Sequence, residues 1–239
     1  MVKNFIKKLG GIIYYNSFKK FKALGNRCLI YHAFGSKLKH DTYGISINIK
    51  RFEEHLKYIT DKYAITVADD FSSNNLSVSI SIDDGYKDTL DAINILVKYN
   101  IPFSLFITIN TLNKKDYLTH DDIREISKIK NVMIGTHGLN HVKFGNISYK
   151  DQFNELKKSK IQLQQLIDKK VKCLSYPHGS YNQDTLDIMP QLKYEWAACS
   201  RKGFNDLSTH KFLLHRSEIV ASDRVSDLEL KIKGYYDYF

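Results

Sequence analysis

Prolines, cysteines and long apolar runs are what this 239-residue sequence has least of, and each scarcity removes a class of protein. Cys28, Cys173 and Cys199 are odd in number, far apart and without a CxxC pair, so neither a disulfide framework nor a cysteine-held zinc cluster is expected. No stretch approaches the ~18 consecutive apolar residues of a membrane-spanning helix. The basic start at residues 1–22 has only a short apolar stretch, broken by glycine and tyrosine, and no small-residue cleavage site follows. That pattern predicts a cytoplasmic protein. With only Pro102, Pro177 and Pro190, no Gly/Ser-rich linker and no repeat of 20–50 residues, nothing divides residues 28–239.

Acidic residues are also missing from residues 1–27, which hold Lys3, Lys7, Lys8, Lys19, Lys20, Lys22 and Arg27. Of the net charge of +10, +7 therefore lies there and only +3 in the rest. A region so close to neutrality lacks the basic patch that nucleic-acid binding calls for, and no nucleic-acid partner is expected. The leader mixes its cations with apolar and aromatic residues such as Phe5, Ile6, Leu9, Ile12, Tyr15 and Phe18. One expectation is peripheral contact of residues 1–22 with the anionic inner face of a membrane. The other is a helix packed on the folded domain with a solvated lysine face.

What the sequence does hold is core material, with 43% hydrophobic and 13% aromatic residues. Phe52, Leu56, Ile59 and Tyr63 fall at helical spacing, and LSVSISID (76–83) alternates Val78, Ile80 and Ile82 with serines, a strand ending in acid. Residues 87–98 return to helical period, PFSLFITI (102–109) reads as a strand buried on both faces, and Thr119 followed by two aspartates predicts a helix start. VMIGTH (132–137) is a strand, 149–170 a long helix, and VKCLSYP (171–177) a strand again. Such alternation implies βα units around a mainly parallel sheet, closed or open. In either architecture chemistry gathers at the C-terminal ends of the strands.

Candidate residues fall at those ends. Asp83 and Asp84 close one strand and Gly85 lets the chain turn away. Taken alone, DDG also fits a solvated turn with an aspartate cap. His137 and His141, four residues apart after another strand, would share a face in a helical turn and could reach one ion. Two imidazoles and one carboxylate leave coordination positions open, as catalytic sites do, and Asp83 would remain free as a general base.

SIDDGYKD (81–88), GTHGLNH (135–141) and YPHGSYN (176–182), in this order, resemble the motifs of the polysaccharide deacetylases, the NodB-homology group or carbohydrate esterase family 4. LIYHAF (29–34) and FEEHLKYI (52–59) resemble a segment preceding the core in one branch. The resemblance implies a deformed (β/α) barrel of about seven parallel strands over residues 28–239 behind the leader of residues 1–27. It implies a divalent metal, usually zinc, on Asp84, His137 and His141, with Asp83 as base and the His178 backbone N–H on the oxyanion. The substrate class it implies is an N-acetylated glycan or lipid-linked sugar, which loses its N-acyl group.

Two departures stand out. The family's third motif usually has an arginine two residues before its proline, where this chain has Ser175, and Arg216 is the candidate to supply that charge. After the proline stands His178 in place of a common tyrosine, so its side chain is also a candidate proton donor. FLLHRSEIV (212–220) offers His215 as the general acid, and Trp196 either lines a sugar groove or fills the core. Two other readings stay open: a glycan-binding member without turnover, and a non-haem iron oxygenase, whose usual antiparallel barrel fits the βα pattern poorly. The oligomeric state is left open.

Overall fold

Strands rich in β-branched residues and helices with capped ends alternate along the chain, as a parallel sheet requires. The structure is a computed structural model that describes residues 25–39, 41–70 and 75–237 together with Gly10. Apart from Gly10, the leader up to residue 24 lies outside the described residues. The strands are β1 (Asn26–Tyr31), β2 (Ala64–Ile65), β3 (Ser77–Ile82), β4 (Phe103–Ile107), β5 (Val132–Thr136), β6 (Cys173–Ser175), β7 (Trp196–Ala198) and β8 (Arg216–Glu218). Between and after them lie the helices α1 (Ile49–Lys62), α2 (Thr89–Lys98), α3 (His120–Ile126), α4 (Tyr149–Ile167), α5 (Gln183–Gln191) and α6 (Val225–Ile232).

Seven strands run parallel in the order β7-β6-β5-β4-β3-β1-β8, and the two-residue β2 pairs with the start of β3, below the point where β4 joins it. The ring nearly closes: Ala198 of β7 bridges to Leu214 just before β8. This is the nearly closed parallel barrel that the motifs imply. Helix starts follow local chemistry. Thr119 and Asp122 form a reciprocal capping box on α3, Asn48 and Ser148 cap α1 and α4, and Phe52, Leu56 and Ile59 are the buried stripe of α1.

The period-2 pattern of β3 has an unexpected outcome. Val78, Ile80 and Ile82 pack outward under the helices, while Ser77, Ser79 and Ser81 are also buried. The serines face a barrel interior too narrow for large side chains on every strand. Ser79 donates to Asn26 Oδ1 and Ser81 to the Leu29 carbonyl, so this polar face meets partners in place of water. Cys28, Phe106, Cys173, Trp196 and Ala198 fill the rest of that interior, with Trp196 edge-on to Phe106. Trp196 is thus a core residue.

Candidate active site

Strand alternation would send the side chains of Asp83 and Asp84 to opposite faces. Instead Asp84 (φ 74°) and Gly85 (φ 79°) both adopt left-handed backbone, and the Gly85 N–H folds back to the Asp83 carbonyl at 3.0 Å. Both carboxylates consequently line one cleft of about 910 Å³ at the C-terminal mouth of the barrel. Glycine makes this turn cheap, and Asp84 takes a conformation that costs a residue bearing a Cβ.

Asp83 is 2% exposed and held by Arg216. The guanidinium donates Nη1 and Nη2 to the two Asp83 oxygens at 2.8 Å each, a bidentate pair. Its remaining N–H groups go to Ser81 Oγ, Ser175 Oγ and the Cys199 carbonyl, so all five donors are used. Ser175 Oγ also donates to Asp83, at 2.9 Å. The small side chain of Ser175 leaves room beside Asp83 for a guanidinium arriving from β8. Burial by itself would raise the Asp83 carboxyl, but Arg216, helped by His137, outweighs it and holds it below the usual carboxylate range.

His137 follows β5, with its ring Nδ1 2.8 Å from the Ser175 carbonyl. That oxygen can only accept, so Nδ1 carries the proton and the Nε2 of the neutral ring keeps its lone pair. Nε2 lies 3.3 Å from Asp84 Oδ1, and His141 Nε2 lies 3.1 Å from the same oxygen. Yet Oδ1 of Asp84 is buried without a well-formed hydrogen bond. Three electron-pair donors converging within 4.8 Å of one another need positive charge between them. A divalent cation fits this donor set, and its identity is not fixed by ligand type. His141 joins His137 without the expected helical turn: residues 137–143 are irregular, with Gly138 at φ 76° and His141 at φ 58°.

The other predicted residues divide. His178 (φ 57°) lines the cleft with its ring 4.5 Å from that of His141. Burial, then the neighbouring His141 and Lys143, lower its pKa. His215 is not brought to the site. Its ring lies by the Lys202 carbonyl, because alternation along the strand turns Arg216 inward and its neighbour outward. Sequence reasoning missed His32, which follows β1, lines the same cleft and has a buried Nδ1 without a hydrogen bond. It stands close enough to lower the pKa of both aspartates. The signal was its place at a strand's C-terminal end. Tyr86 also lines the cleft, its phenol pushed up by burial and by Asp84.

An acid pair and two histidines at the mouth of a parallel barrel define a hydrolase site of the deacetylase class. The chain belongs to the polysaccharide deacetylase family, whose model matches residues 72–197. YxkH of Bacillus subtilis (strain 168), which carries the same family description, is 25% identical over 203 residues, 80% of this chain and 70% of that one. Among solved structures, the Streptococcus pyogenes deacetylase PplD in complex with acetate superposes with a TM-score of 0.77 at 20% identity, covering 87% of this chain and 98% of that one. IcaB from Ammonifex degensii gives 0.78 at 16%, covering 89% and 98%. These likenesses confirm the fold.

Proposed function

We propose that the chain removes an N-acyl group, most simply acetyl, from an amino sugar of a cell-surface glycan or lipid-linked precursor, with Asp84, His137 and His141 holding a divalent cation, zinc by preference. The observation that carries this reading is the buried Asp84 Oδ1 facing two imidazole nitrogens beside a separate, guanidinium-held carboxylate. When bound, such a cation lowers the pKa of a water and polarises the acyl carbonyl. Asp83 accepts the water's proton; Arg216 and Ser175 keep it ionised and aimed. In this reading the His178 N–H, within the short turn Pro177–Gly179, donates to the developing oxyanion. His32, in place of His215, protonates the departing amine, and the His178 ring forms part of the cleft wall.

Residues 1–22 serve in this reading as a peripheral membrane contact at the inner face. The test is mass spectrometry of a panel of N-acetylated sugars and glycolipids after incubation with metal-loaded protein. One substrate should lose an acetyl mass, and Asp83→Asn should turn over at least ~100-fold more slowly while still binding metal. If no panel member loses mass faster with wild type than with Asp83→Asn, the glycan-binding reading replaces this one.

A further inference from the structure

The two imidazoles of the cation site are held by different means. His137 continues β5, with its N–H bonded to the Ile107 carbonyl at 2.7 Å and its ring bonded to Ser175. His141 belongs to no strand or helix, and its φ of 58° is one that a histidine keeps only where its surroundings over-determine it. Those surroundings are the stretch 138–140. Its carbonyls are taken by the segment after β4, where the Ile109 N–H donates to Gly138 at 3.3 Å and the Asn110 N–H to Leu139 at 2.9 Å.

Its N–H groups are taken by one side chain. The Leu139 and Asn140 N–H groups both donate to Glu155 Oε2 at 3.0 Å, and the Asn140 side-chain amide donates to Oε1. Asn140 Oδ1 meanwhile accepts from Asn110 Nδ2 at 2.6 Å, which fixes that amide's orientation. Glu155 is 9% exposed on the inner face of α4, and among the described residues it forms no ion pair. A carboxylate buried without a cation is an expensive way to fill space. What it returns is three charge-assisted hydrogen bonds, all onto the stretch between the two histidines.

We infer that Glu155 is the positioning residue that holds His141 as a metal ligand. This rests on the reading of Asp84, His137 and His141 as the cation site, and it adds a partner outside that site which decides whether the second imidazole is in place when the ion arrives. Residues that orient ligands in this way set metal affinity by 10–100-fold on their own.

Titration of the metal-free protein with Co²⁺, followed by visible absorption, tests the assignment. The Co²⁺ dissociation constant should rise ~10–100-fold in Glu155→Ala. It should rise less in Glu155→Gln, because one amide oxygen can still accept both backbone N–H groups while the new NH₂ opposes that of Asn140. Should the alanine variant fail to fold, the glutamine variant, checked by its far-ultraviolet dichroism, carries the test. In a His141→Ala background, replacing Glu155 should weaken Co²⁺ binding no further, which separates positioning of His141 from a general loosening of the fold. Folded Glu155 variants that bind Co²⁺ as tightly as wild type, or that lose the same factor with and without His141, overturn the inference. A wild type that binds no Co²⁺, or one matched by His141→Ala, overturns the cation site itself.

Discussion

Arg216 is fully buried and spends all five donors within one network, so it cannot be exchanged for another cation without loss. Lysine at this position would keep the charge but not the planar fork. Arg216→Met removes both, leaving Asp83 buried beside no guanidinium. Breaking a buried pair from one side costs about 3–5 kcal/mol, to be read from the urea midpoint. The sign on activity follows from Asp83: with Arg216 gone its pKa rises, so the acid limb of the pH–rate profile moves to higher pH. A limb that stays in place would separate Asp83 from the base role. Ser175 is the residue that makes the arrangement possible; the sequence offered Arg216 as the replacement charge, but with 41 positions between them only the fold shows that the two side chains meet.

At the scale of elements, α1 is tied to the barrel by a histidine with no part in the chemistry. His55 Nε2 lies 3.1 Å from the Asp223 carbonyl and its Nδ1 3.2 Å from the Tyr31 hydroxyl, a set that suits the neutral ring, one nitrogen donating and the other accepting. Burial lowers its pKa to about 4; the hydrogen bond to the Asp223 carbonyl opposes this, and of the charged groups around it Arg51 and Lys231 lower it while Glu54 raises it. A depressed histidine takes up its proton more readily in the unfolded chain, so stability from this site is complete above about pH 6.5 and declines as pH falls toward 4. The loss should approach roughly 3 kcal/mol and be absent in His55→Gln, as urea unfolding between pH 7 and 4.5 would show. An equal acid slope in both proteins would assign the effect to other groups.

For the whole molecule, the direction of β1 matters. Its six residues, Asn26–Tyr31, carry the chain from one end of the barrel to the other, where His32 enters the cleft. Asn26, at the start of β1, therefore lies at the end of the barrel away from the site. Arg27, counted with the leader's charges, belongs to the folded domain, buried against Asp237 at 2.8 Å and stacked on Phe204. Among the described residues no helix is long and apolar enough to cross a membrane. Deleting residues 1–22 should abolish salt-sensitive binding to anionic liposomes and leave turnover of a soluble substrate unchanged. Retained liposome binding would assign the contact to the barrel.

Legible along the chain were the alternation of strands and helices, the parallel sheet, the family, and the acid pair and two histidines at strand ends. Periodicity, caps and motifs are local, and each is complete within about a dozen residues. What depends on neighbours across the barrel came from the three-dimensional fold. It placed Arg216 and not His215 at Asp83, brought His32 into the cleft, buried the β3 serines and Trp196 inside the ring, and set Glu155 under the His141 loop. Those outcomes depend on which strands pair and in what register, such as Cys28 opposite Arg216, and no stretch of sequence contains that pairing.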